Sequence, residues 1–193
     1  MKKLTRADIV SNEQYLHERD DRRRKIIALK RNRRVQVGPL LSFTFENRET
    51  LKYQIQEMMR IERIQDEDKI QFEIDTYNTL IPEQGSLSAT MFIEIQEASQ
   101  IKSILDRLQG LDQPGVVLLK LGGDRIPAQF EPGHSKEDRI AAVHYVMFAL
   151  SSEQVRNFVN LPVEIQVKHP EYSATAALTE QQRIEICKDL IED

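Results

Sequence analysis

Between residues 85 and 168 the chain returns repeatedly to the two-residue period of a β-strand, and no fold without a sheet can satisfy that pattern. Leu87-Ser88-Ala89-Thr90-Met91-Phe92-Ile93-Glu94-Ile95 alternates throughout. Residues 116–121 form a nearly unbroken apolar run, and Gly122-Gly123 then supplies a tight turn into a returning strand around 126–130. Ile140, Ala142, His144, Val146, Phe148 and Leu150 share one face of a further strand, and Val163, Ile165 and Val167 share one face of another. Helical spacing interrupts these strands at 98–109, which stops at Gly110, and at 153–160, which Ser152 caps. Thr179-x-x-Gln182 opens a closing helix with Ile184, Cys187 and Ile191 on its inner stripe. The expected class is therefore α+β, a mixed or antiparallel sheet with helices packed on it.

The first part of the chain is mostly helical. Thr5-x-x-Asp8 and Ser11-x-x-Gln14 have capping-box spacing, predicting a short turn near 6–10 and a helix over about 12–32. Val35-Gln36-Val37, Gly38-Pro39 and Leu40-Leu41-Ser42-Phe43-Thr44-Phe45 read as strand, turn and strand. Asn47 caps a helix running to about 64, with Leu51, Ile55, Met58, Met59 and Ile61 as its stripe and Gln54 and Glu62 out of pattern inside it. Asp66 caps a third helix over 67–77, whose inner face carries Ile70, Ile74 and Tyr77. At 193 residues the expectation is one α+β domain, 1–193, in which 1–34 is a basic N-terminal helical segment.

Charge is distributed unevenly. The whole chain carries −4, but residues 1–34 carry +7 and the remaining residues −11, a basic arm on an acidic body. No apolar run has the length of a signal peptide or of a membrane span, so a cytoplasmic protein without membrane insertion is expected. The single cysteine, Cys187, excludes an intrachain disulfide and a thiolate-only metal cluster. It sits mid-helix on the apolar stripe, where a thiol behaves as a small hydrophobe.

Four groups of residues bear on function. Residues 19–34 hold nine Lys/Arg and two Asp/Glu. At about 100° per residue, Leu16, Arg19, Arg23, Ile27, Lys30 and Arg34 fall on one side of the first helix, mixing cations with apolar anchors. Such a face suits something negative and partly apolar. Arg19, Arg22, Arg23, Lys30, Arg31, Arg33 and Arg34 are accordingly the candidate partner- or anion-binding residues. Nucleic-acid phosphates are one such anion, although no recognition motif or aromatic platform accompanies the cations. A solvated or intramolecularly paired helix is the plainer reading.

The second and third helices bring forward a polar cluster of Tyr53, Gln54, Glu57, Glu62 and Glu73. Without a Glu-x-x-His motif it does not match a di-iron bundle. A carboxylate on an apolar face needs a charged partner, so Glu62 is expected to pair with Arg23 or Lys30 of the first helix. The metal candidates are Glu131, His134 and Asp138 in the loop 131–138 together with His144 on a strand. Against them stands a solvated loop beside a core histidine. Dinucleotide and P-loop fingerprints and a Gly-x-Ser-x-Gly elbow are all missing from the sequence, and Gly122-Gly123 reads as a turn.

At Arg31-x-Arg33-Arg34, Gly38, Phe45-Glu46-Asn47-Arg48-x-Thr50 and Tyr53-Gln54-Ile55-Gln56-Glu57-Met58-x-Arg60-x-Glu62-Arg63 the chain resembles a bacterial family catalogued as a domain of unknown function. Tyr77-Asn78-x-Leu80-Ile81-Pro82, Ala89-Thr90 and His169-Pro170 extend the likeness. The resemblance implies a small cytosolic protein, often encoded beside a rubrerythrin and an iron–sulfur oxidoreductase, with no catalytic residues to carry over. It points to a non-enzymatic accessory or binding protein of such a redox system, needing no cofactor of its own because the neighbours supply that chemistry. The alternatives left open are nucleic-acid or nucleotide binding through the basic helix, and a carboxylate-histidine metal enzyme.

Overall fold

The computed structural model describes residues 1–131 and 140–191. A 3-10 turn at Arg6–Asp8 precedes helix α1 (Asn12–Arg31), strands β1 (Arg34–Val37) and β2 (Leu41–Glu46), and helices α2 (Arg48–Ile61) and α3 (Glu67–Asn78). Then come β3 (Ser86–Ile93), α4 (Ile101–Arg107), β4 (Val117–Leu121), β5 (Asp124–Pro127), β6 (Gln129–Phe130) and β7 (Val143–Ala149). The chain closes with α5 (Ser152–Asn157), β8 (Val163–His169), β9 (Tyr172–Ala177) and α6 (Glu180–Ile191). Where a single sheet was expected there are two, ordered β1-β2-β3-β7-β6 and β5-β4-β8-β9. Every described pairing is antiparallel.

The inward faces of the two sheets share one apolar core. Phe43, Phe45, Leu87, Met91 and Phe148 come from the first sheet, Leu119, Val163, Ile165 and Val167 from the second, and Phe158 joins them from the end of α5. Period-two alternation is what delivers these residues to one side. The opposite face of the first sheet is polar, yet Thr44, Glu46, Ser88 and Thr90 are buried there as cross-strand pairs. Next to them on that face, Tyr145 packs against a second, smaller core. That core is built by Leu4 and Ile9 with Leu51, Ile55 and Met59 of α2 and Ile70, Ile74 and Tyr77 of α3.

Two strand boundaries depart from the periodicity. The segment around 126–130 divides between the sheets, β5 pairing with β4 and β6 with β7. Pro127, which has no N–H to extend a ladder, ends the first piece. Strand β9 was not legible: Tyr172, Ala174 and Ala176 point inward and Ser173, Thr175 and Ala177 outward, but small residues carry little apolar contrast. Its anchor is Tyr172, whose hydroxyl donates to Val37 O and accepts from Leu40 N at 3.2 Å, tying β9 to the turn between β1 and β2. Gly38 occupies that turn at φ 66°, and a Cβ there would lie 2.3 Å from the Tyr172 hydroxyl.

Helix α2 stops at Ile61 because Arg63 adopts a left-handed conformation (φ 55°) and Ile64 N donates to Met59 O at 2.9 Å, a Schellman-type cap. Helix α1 is unusual in burying one residue, Tyr15. Among the described residues no helix is long and apolar enough to cross a membrane.

Candidate functional site

Helix α1 lies along α2, and one carboxylate holds the two together. Glu57 accepts from the Tyr15 hydroxyl at 2.7 Å, from Arg19 Nε and Nη2 at 2.7 and 3.0 Å, and from Arg60 Nη2 at 2.9 Å. The Arg19 guanidinium, helped by Arg60 and Tyr15, pulls the Glu57 carboxyl down to about 2 against the opposing effect of burial. Burial first, then Glu57, pushes the Tyr15 phenol well above its ordinary value. At neutral pH the group is therefore a charged carboxylate with both oxygens occupied and a neutral phenol. It is a joint with no acceptor left for chemistry.

This joint corrects the expected pairing. Glu57, not Glu62, carries the inter-helix ion pair, and Arg19, not Arg23 or Lys30, answers it. Glu62 is the exposed C-cap residue of α2, because the cap at Arg63 turns the chain out of the helix before Glu62 can join the apolar stripe. The seam also contains a buried residue that periodicity did not flag. Gln56 lies beside the apolar stripe and exchanges two hydrogen bonds with the backbone of Val10, at 2.8 and 3.2 Å. Only the N-terminal segment packing over it makes that position interior.

Beside the seam, Tyr15, Arg22, Lys25 and Ile26 of α1 and Glu49, Lys52 and Tyr53 of α2 line a small open groove. The Arg22 guanidinium lies 6.0 Å from the Tyr15 ring centroid and donates to Glu18 at 2.6 and 2.8 Å. Glu49 lies 3.6 Å from Arg48. Neither Lys25 nor Lys52 forms a direct ion pair among the described residues, but the charge of Lys25 reaches Glu18, Glu49 lines the same groove, and the half-buried Tyr53 borders it beside the buried Tyr15. Lys25, Lys52 and Tyr15 were not among the expected binding residues. The N-terminal run containing Lys25 was conspicuous, but nothing in the spacing brings Lys52 to it.

The remaining basic residues go to different places. Arg33 was expected on a binding surface and is instead wholly buried. Its guanidinium pairs with Asp189 of α6, donates from Nε to Phe45 O at 2.8 Å and reaches Glu46 O at 3.4 Å and Glu185 at 3.5 Å. It locks α6 to the end of β2 and is closed to partners. Arg34 pairs with Glu94, which also accepts from Ser42. Arg23, Lys30 and Arg31 form no ion pair among the described residues.

The expected polar cluster divides in two. Tyr53 and Glu57 face α1, whereas Gln54, Glu62 and Glu73 lie near Tyr77. Burial raises Tyr77, and burial followed by the charge of Glu62 raises Glu73. Tyr145 is pushed up to about 12 by burial, with Tyr77, Glu46 and Glu131 adding to it. Glu46 accepts from Thr90 at 2.7 Å, and across the ladder the buried Ser88 Oγ has no hydrogen-bond partner among the described residues. Both phenols stay protonated at neutral pH.

Among the described residues no group of three or more His, Cys, Asp or Glu side chains is arranged to hold a metal ion. His134 and Asp138 lie outside the described residues, and Glu131 is near Tyr145. His144 faces the inter-sheet core, with Nε2 2.8 Å from Ala141 O and its ring edge-on to Phe130, the arrangement of a core histidine. Cys187 is partly buried on α6, and burial together with Asp189 raises its thiol.

Residues 3–190 match a family model described as a protein of unknown function, DUF3501. No curated protein matches the chain. A crystal structure described as a novel protein of unknown function from Burkholderia pseudomallei is similar at 31% identity with a TM-score of 0.91, over 98% of this chain and 100% of that one.

Proposed function

Starting from the fact that the chain belongs to the DUF3501 family of proteins of unknown function, we propose that it is a non-enzymatic binding protein whose docking site is the cationic groove between α1 and α2. The observation that carries this is the pair Lys25 and Lys52, which line one groove from separate helices and form no direct ion pair among the described residues. Two ammonium groups on the walls of one groove both attract an anionic group docked there. Arg23, Lys30 and Arg31 extend the positive field along the same helix and steer a negative partner toward it. The half-buried Tyr53 ring adds flat amphipathic contact area of the kind that anchors protein interfaces.

The partner class that fits is an acidic protein surface. The resemblance noted from the sequence directs the search to an iron–sulfur oxidoreductase or a rubrerythrin, with this chain as a cytoplasmic accessory that contributes contact and holds no cofactor. The test is an anaerobic affinity purification with the full chain at low salt, with and without nuclease, beside the double variant Lys25→Glu/Lys52→Glu. Recovery of an identified iron–sulfur oxidoreductase or rubrerythrin by the parent and its loss with the double variant supports the reading. Equal recovery by both chains, or recovery only of nuclease-sensitive nucleic acid, overturns it.

A further inference from the structure

The solvent face of α1 carries a second message, independent of the groove. Glu13, Leu16, Asp20, Arg24, Ile27 and Arg31 are spaced by three or four residues and fall along one line of the helix. All six are exposed, on the side away from Tyr15, Arg22 and Ile26, which face the body. Leu16 is 60% exposed and Ile27 50%, two large apolar side chains three turns apart on a helix that buries one residue. Single exposed leucines are ordinary, but two aligned on one stripe and bracketed by charges give a second helix two apolar anchor points.

The order of residues along the stripe identifies the occupant. It reads acid, apolar, acid, base, apolar, base, and its midpoint lies near residue 22. Turned end for end, the stripe matches itself: Glu13 falls opposite Arg31, Leu16 opposite Ile27 and Asp20 opposite Arg24. Parallel pairing would instead set acid against acid and base against base at every charged position. Among the described residues the one competing ion pair, Arg24 with Asp21, joins side chains 74% and 70% exposed and is weak enough to yield.

We infer that α1 pairs antiparallel with α1 of a second copy of this chain, through a two-fold contact centred near Arg22 in which Leu16 of each copy packs on Ile27 of the other. A single helix pair is small for an interface, so the association is reversible and concentration-dependent. The two grooves remain open in such a dimer, because they lie on the flanks of α1 that face α2.

Sedimentation velocity on the full chain across a wide concentration range tests this. The parent is expected to move from monomer to dimer as concentration rises, whereas Glu13→Lys/Asp20→Lys and Arg24→Glu/Arg31→Glu each remain monomeric alone. Mixed in equal amounts, those two variants present opposite charges and are expected to recover the dimer. In a Cys187→Ser background, Leu16→Cys and Ile27→Cys proteins are expected to form a mixed disulfide with each other and little of either self-disulfide. A parent monomeric at every concentration overturns the inference, as does a dimer indifferent to both charge reversals. Predominant Leu16→Cys self-disulfide would overturn the antiparallel register.

Discussion

The space between the two sheets and the seam between α1 and α2 are both interior, and they are held by opposite chemistry. The first is almost wholly apolar, from Phe43 and Phe45 through Val163 and Ile165 to Phe158. The second depends on one carboxylate that satisfies a phenol and two guanidinium groups. An apolar core has no preferred charge state and responds little to pH or salt, whereas an ionic joint exists only while its members are charged. The body and the basic helix can therefore be uncoupled: conditions that loosen α1 need not unfold the sheets.

Substitutions chosen from each side of that contrast should separate the two regions. Phe158→Ala, a fully buried aromatic between the sheets, is expected to cost about 3–5 kcal/mol of global stability by denaturant unfolding. A smaller loss would mean that the inter-sheet core is less tightly packed than it looks. Arg33→Ala leaves Asp189 buried without its guanidinium and should cost about 3–5 kcal/mol, while Arg33→Met with Asp189→Leu should restore most of it. No restoration would show that the pair supplies more than mutual neutralisation.

Glu57→Gln keeps the shape of the joint and removes its charge. Its expected cost is about 1–3 kcal/mol, expressed locally, with amide exchange accelerating in α1 ahead of the sheets. Uniform acceleration across the molecule would abolish the distinction between body and helix. Acid should act in the same way. Because Glu57 titrates lower in the folded chain than unfolded, its contribution is complete above the ordinary glutamate range and is lost as pH falls toward about 2. Asp8, held down to about 2 by Thr5 and Arg48, fades over the same window, so the difference between parent and Glu57→Gln isolates the seam. The smallest stability effect belongs to Lys25→Ala and Lys52→Ala, which remove no direct ion pair among the described residues and no fully buried side chain, and should leave the unfolding midpoint nearly unchanged while weakening partner binding.

Much of the secondary structure follows from local rules that operate within a few residues. Ser11 accepts from Gln14 N and Asn47 from Glu49 N and Thr50 N, as their cap positions require, and α1 and α2 begin where those residues stand. The inward face of β3 is the one its alternation marks, and the acid–base order of α1 is written in the chain itself. The choice of partner is not local. Leu16 and Ile27 look like anchors by hydrophobicity, yet the body takes Tyr15 and Ile26, one position earlier in each case, because α2 offers Glu57 and Tyr53 on that side. Glu57 rather than Glu62 became the ionic joint because a left-handed residue, Arg63, ended the helix early. Arg33 and Arg34 are neighbours in sequence, but the strand pleat sends the first inward to Asp189 and the second outward to Glu94. Periodicity and capping act through contacts a few residues apart, so the chain alone determined most of its elements, β9 excepted, and its charge asymmetry. The meeting of Lys25 with Lys52, the burial of Gln56 and the division of 126–130 between two sheets depend on contacts far apart in sequence, and only the packed structure decided them.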